Sequence, residues 1–224
     1  MFKRVKKCHI CESKELEPFD KVKDLPCLDT AMTSVEENSF FLDMALVQCK
    51  RCHTMMLSSF PAAEILYSQK NQRHDSDLWK GHHELFFGFL KDSVTFATSF
   101  LEIGASDFSM HGYIDEGFSV DEYVVVEPSG SRLNSNVTTI NDLFPTKSLG
   151  SEKKFDVILH SHCLEHALNP DEFIKGCVDL MHSDSRLIFS IPDLIFNIDN
   201  LHPNSIDFEH WWLITKQHVE FLCN

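Results

Sequence analysis

Two short cysteine pairs carry the most definite chemistry in this sequence. Cys8 and Cys11 bracket His9-Ile10, and Cys49 and Cys52 bracket Lys50-Arg51. A Cys-x-x-Cys turn lets two thiolates face one ion, and two such turns complete a tetrahedral set of the kind that holds zinc. Four protein ligands leave no position for water or substrate, so the expected zinc ion is structural. A thiol–disulfide pair would need a strand before it and a helix after it within a βαβ unit, and neither pair has that setting. His9 and His53 adjoin the pairs and read as exposed neighbours. Cys27, Cys163, Cys177 and Cys223 read as buried or incidental thiols.

A second set of residues follows short apolar runs in the latter half. Gly104, after Glu102-Ile103 and before Ala105-Ser106, allows a close backbone turn against a ligand. Glu127-Pro128 ends the next run, and an acid there accepts hydrogen bonds from both hydroxyls of a ribose. Asn141-Asp142-Leu143 follows a third run, with a carboxylate for an adenine amino group and an apolar side chain for its ring. Ser161 and His162 follow a fourth, beside the same crevice. The order of glycine loop, acid roughly 20–25 residues later, Asp and polar loop points to an adenosine-containing cofactor. His160, His162 and His166 read as capping and cleft-lining groups rather than ligands. His82 and His83 read as a solvated pair on a helix.

Strands and helices must hold these residues. Phe40 to Cys49 reads as a strand running into the second cysteine pair. Pro61 opens an expected helix over 61–67, and a second is expected over 77–91 with Leu78, Phe86, Phe89 and Leu90 sharing an apolar face. From residue 96 the pattern alternates. Apolar runs at 100–103, 123–126, 137–140, 155–159 and 186–191 suit strands buried on both faces of a parallel sheet. Between the last two, Asn169-Pro170-Asp171-Glu172 opens a helix over 170–181. The fold expected is α/β: a small four-cysteine zinc-binding module over 1–58, a helical connector over 59–95 and a Rossmann-type doubly wound sheet over 96–224.

Composition bounds the function. The chain has 224 residues, 43% of them hydrophobic, with 19 Phe and a formal charge of −14. The acidity argues against a nucleic-acid partner, which needs a basic footprint. No apolar run approaches the ~18 residues of a membrane span, and the basic start has no apolar stretch behind it. A cytoplasmic, reducing location is expected, with no membrane partner.

Four segments together resemble a known family. Glu102-Ile103-Gly104, Val126-Glu127-Pro128-Ser129, Leu164-Glu165-His166 and Ile191-Pro192-Asp193 look like the signposts of Rossmann-type S-adenosylmethionine-dependent methyltransferases. With the cysteine module in front, the chain is similar to the zinc-containing C-methyltransferases of nucleotide-linked deoxysugars. The resemblance implies S-adenosylmethionine as cofactor and a nucleotide sugar or related glycan precursor as small-molecule substrate. It also implies a Tyr-His-Glu-His segment with base chemistry. The matching stretch here is Asp207-Phe208-Glu209-His210, so Glu209 and His210 carry over, with His210 as base. Phe108 stands where the family carries Gly. Two alternatives stay open: a silent zinc and cofactor-binding module, and a methyltransferase for another acceptor. A nicotinamide dehydrogenase would need three glycines in the loop.

Overall fold

The computed structural model describes residues 3–26, 41–60, 77–105, 110–128, 137–150, 152–201 and 207–224. In chain order the strands and helices begin with β1 (Lys3–Arg4), β2 (Leu16–Pro26), β3 (Phe41–Cys49), β4 (Met55–Leu57), β5 (Ser59–Phe60) and α1 (Asp77–Ser93). Then come β6 (Ser99–Ile103), α2 (His111–Gly117), β7 (Glu122–Val126), β8 (Thr138–Ile140) and β9 (Phe155–Ser161). The last are α3 (Pro170–Asp179), β10 (Met181–Ser190), α4 (Leu194–Asp199) and α5 (Lys216–Leu222). The helix expected over 61–67, and Cys27, Ser106 and Phe108, lie outside the described residues.

The chain divides into two compact units. One comprises Met1–Gln72, Leu164–Asp171 and Pro192–Asn224, and the other Arg73–Cys163 and Glu172–Ile191. The first unit is antiparallel: β2, β3 and β4 form one sheet, and β1 pairs with β5.

The second unit holds a five-stranded parallel sheet in the order β10-β9-β6-β7-β8. Its strands are the expected apolar runs, and β10 begins earlier than expected, at Met181, with an irregularity before Arg186. Strand side chains alternate between faces. Phe100, Tyr123, Val125, Val157, Leu159 and Ile188 pack on one face with Phe86 and Leu90 of α1 and with Met110 and Ile114 beside and within α2. The opposite face carries Leu101, Ile103, Val124, Val126 and Ile158, all 3% exposed or less. There the His160 ring meets Phe173 of α3 at 5.1 Å. Burial on both faces is why 123–126 is continuously apolar and 155–159 is apolar but for Asp156. This is a mixed α/β, Rossmann-like fold.

The apolar face of α1 differs from expectation. His83, Phe86 and Leu90 are buried, whereas Leu78 is 79% and Phe89 59% exposed. Positions 83, 86 and 90 follow the 3.6-residue period. Leu78 and Phe89, with Leu85, fall on a different stripe.

Candidate functional site

The chain runs from β6 out to β7 and β8, then crosses back to β9 and β10 on the other side. Connections leaving β6 and β9 therefore diverge, and the carboxyl ends of these two strands are the position where open α/β sheets bind ligands. Gly104 lies at the end of β6 with φ +71, and a Cβ there would stand 2.3 Å from Cys163 Sγ. Its N–H donates to Val126 O at 2.9 Å. Only glycine fits that backbone and that space. Ala105 beside it is buried.

Glu127 follows β7 directly. It is 5% exposed, and its N–H donates to Ile140 O at 3.0 Å, while Pro128 is exposed. Asp142 lies beyond β8. Its Oδ1 accepts from Leu143 N at 2.8 Å and its Oδ2 from the Thr146 hydroxyl. The Thr146 bond, then the Leu143 N–H, holds this carboxyl below its ordinary range, so it is ionised at neutral pH. Leu143 is 70% exposed. Glu102 sits one layer deeper. Its carboxylate accepts from Met110 N at 3.0 and 3.1 Å and from the Tyr123 hydroxyl at 2.7 Å, which braces the start of α2 against the sheet.

At the ends of β9 and β10, Ser161 Oγ lies 2.8 Å from His82 Nε2 and accepts from Ser190 Oγ at 2.9 Å. His162, at φ +52, sets its ring 5.1 Å from His82 and 5.3 Å from Trp79. The solvated histidine pair expected on α1 is thus a packed one. His83 is 7% exposed, and burial, with His162 next, pushes the His82 pKa down and keeps its ring neutral. Sequence spacing gave no sign of this, because His82 and Ser161 are joined only by the fold.

In the first unit the two cysteine pairs form matching turns. Glu12 N–H returns to Cys8 O at 3.2 Å and His53 N–H to Cys49 O at 2.9 Å, with Glu12 and His53 both left-handed at φ 59 and 61. These turns bring the four sulfurs together, with Cys8–Cys52 and Cys11–Cys49 each 3.5 Å apart. Burial pushes the Cys8 thiol up. Burial also acts upward on Cys52, but hydrogen bonds from Thr54 outweigh it and bring that thiol down to about 7. Thr54 Oγ1 lies 3.0 Å from Cys52 Sγ and 2.9 Å from His218 Nε2 on α5. His9 is not an exposed neighbour: its Nδ1 lies 2.7 Å from Leu168 O, and burial lowers its pKa.

The same unit gathers Glu165, His166 and His210. The 207–214 segment is tied to the 164–168 turn by Trp211 N–H to Glu165 O at 3.3 Å, by Trp212 Nε1 to Ala167 O at 3.2 Å and by the Trp211 indole to His166 O. His166 Nδ1 lies 3.1 Å from Glu209 O, and His210 Nδ1 lies 3.0 Å from Asp207 Oδ2. Burial works against a charge on both rings. It prevails at His166, whose pKa falls, whereas at His210 the Asp207 hydrogen bond outweighs it and the pKa rises. The carboxylate that orients His210 is therefore Asp207. Glu209 contributes its carbonyl, to His166.

A family model described as a methyltransferase domain matches residues 68–223. A search among curated proteins returns no match. Among solved structures, the plantazolicin methyltransferase BpumL, in complex with a monoazolic desmethylPZN analog and SAH, aligns with a TM-score of 0.52 and 19% identity. That alignment covers 63% of this chain and 60% of that one. BpumL in complex with SAH aligns with a TM-score of 0.51 and 20% identity, over 62% of this chain and 60% of that one. This chain thus spans about 60% of the length of those enzymes, and the likeness is one of fold. The family model takes in more than half of the sequence, and the chain belongs to the methyltransferase-domain family of S-adenosylmethionine-dependent enzymes.

Proposed function

We propose that this protein transfers the methyl group of S-adenosylmethionine to a carbon of a nucleotide-linked sugar or related glycan precursor. The observation that carries the cofactor reading is the order of groups along the strand ends. Left-handed Gly104 at β6, buried Glu127 at β7 and ionised Asp142 at β8 stand where such a fold takes a nucleoside. Glu127 would hold the ribose hydroxyls, Asp142 and Leu143 the adenine, and Gly104, Ala105, Ser106 and Pro128 the close backbone approach. Glu102 supports the wall, and Ser161 and His162 line the far side. The cofactor supplies a methyl group on a sulfonium that leaves as a neutral thioether.

C-methylation needs a carbanion beside a ketone. His210 is the base in this reading. Its Nδ1 faces Asp207, so Nε2 would take the proton, the C–H pair would be left as an enolate, and the enolate carbon would accept the methyl group. Asp207 favours the imidazolium that forms, and Glu209 would bind a sugar hydroxyl. The cluster of Cys8, Cys11, Cys49 and Cys52 is read as a structural zinc site. Sulfur separations of 3.5 Å are close to the edge of a tetrahedron with Zn–S of about 2.3 Å. Thiolates of this kind persist in a reducing compartment, and we place the protein in the cytoplasm.

Calorimetric titration with S-adenosylmethionine tests the first step. We expect saturable binding that weakens at least tenfold in Glu127→Ala. Product mass and carbon-resolved NMR on candidate nucleotide ketosugars test the second, and His210→Ala should abolish turnover while cofactor binding persists.

A further inference from the structure

We propose that Glu165, His166 and His210 form a second metal site, suited to a divalent first-row transition ion. The inference goes beyond methyl transfer and does not rest on it. One donor atom from each of the three residues lies within 4.8 Å of the others, and the two imidazole rings are 4.9 Å apart. Two imidazoles and a carboxylate are the donor set of three-ligand sites that keep coordination positions open, with zinc or with iron(II).

The surroundings of the rings point the same way. A metal-bound histidine characteristically donates its other ring N–H to a carbonyl or carboxylate, which fixes the tautomer and aims the ring. Both partners are present. His166 Nδ1 donates to Glu209 O at 3.1 Å, and His210 Nδ1 donates to Asp207 Oδ2 at 3.0 Å. In each ring Nε2 is then the coordinating nitrogen. The Glu165 carboxylate is 1% exposed and interacts electrostatically with both rings. A buried acid beside two imidazoles is stabilised by a cation.

The frame is fixed. Both indoles, of Trp211 and Trp212, donate to carbonyls of the 166–167 turn. A small, largely apolar cavity lined by Glu165, His210, Pro192, Leu194 and Ile214 adjoins the cluster. These nitrogen and oxygen donors differ from the sulfur set of the cysteine turns, so the two sites select ions independently. An ion on His210 Nε2 takes the place of a proton there, so occupancy and proton acceptance at this ring exclude one another.

The test is dialysis of the purified protein against Co2+, with any ion held by the thiolates left in place. We expect one equivalent of cobalt per chain, with weak visible bands and no thiolate charge-transfer band. The proton NMR spectrum should show two exchangeable, paramagnetically shifted N–H signals, one from each Nδ1. Glu165→Gln and His166→Ala should each weaken cobalt binding at least tenfold, and Asp207→Asn about tenfold through loss of ring orientation. His210→Ala, at a partly exposed side chain, serves if a buried change unfolds the unit by circular dichroism. No bound cobalt, cobalt bound with a thiolate band alone, or binding indifferent to these variants would overturn the site.

Discussion

The Cys163 thiol donates to Ile103 O at 3.2 Å, and its sulfur occupies the space that a side chain at Gly104 would need. Gly104→Ala should therefore destabilise the second unit by more than the roughly 1–2 kcal/mol of a left-handed backbone alone. Urea denaturation measures the loss. Adding Cys163→Ala should recover the part due to crowding and leave the part due to φ +71. Equal stability of the single and double variants would show that the sulfur simply swings aside.

Asp156 on β9 gives a pH-dependent handle. Its Oδ2 accepts from Thr98 N at 2.8 Å and Ser99 N at 3.0 Å, and its Oδ1 lies 3.0 Å from His182 Nε2. Burial acts upward on this carboxyl, but those bonds outweigh it and lower its pKa from 3.8 to about 2. A carboxyl depressed on folding adds stability that is complete above the unfolded value and disappears as pH falls through the folded one. Asp156→Asn should lower the melting temperature at pH 7, and the gap to wild type should close between about pH 4 and pH 2. A gap that stays constant over that window would assign the loss to geometry rather than charge.

Helix α1 supplies a matched pair of substitutions. Leu90 is fully buried, so Leu90→Ala should cost about 2–5 kcal/mol. Leu85 is 79% exposed, and Leu85→Ala should fall within about 0.5 kcal/mol of wild type. Chemical denaturation of the two variants separates them, and similar losses would contradict the burial of one stripe only.

Thr54 joins the cysteine cluster to the last helix through Cys52 Sγ and His218 Nε2. Thr54→Val keeps the shape and removes both bonds, which should cost about 0.5–1.5 kcal/mol per bond. Thermal melting monitored by circular dichroism checks this. His218→Ala in the Thr54→Val background should then add less than it does alone.

The parallel sheet was legible because its central strands are buried on both faces, so Tyr123-Val124-Val125-Val126 is an unbroken apolar run and Phe155 to Leu159 is interrupted only by Asp156. The cysteine turns were legible because each is local and the spacing alone determines the geometry. Helix α1 is legible over 77–91 and runs on to Ser93, but its buried face is not legible, since Leu78, Leu85 and Phe89 offer an apolar stripe that competes with Phe86 and Leu90. The histidine clusters were illegible for a different reason. His82 reaches Ser161, and His166 faces His210, only after distant segments are folded together. Glu209 was legible as a residue of interest, but its carbonyl rather than its side chain meets His166. Backbone participation leaves no trace in residue type.

The first unit is assembled from three separate stretches of chain. On a ribosome Cys8 to Cys52 emerge well before Trp211 and His218, which lock their surroundings. At about 5–20 residues per second, that interval is roughly ten to thirty seconds. Throughout it the thiols are open to ions and oxidants, so the fate of this cluster depends on timing during translation as much as on the finished fold.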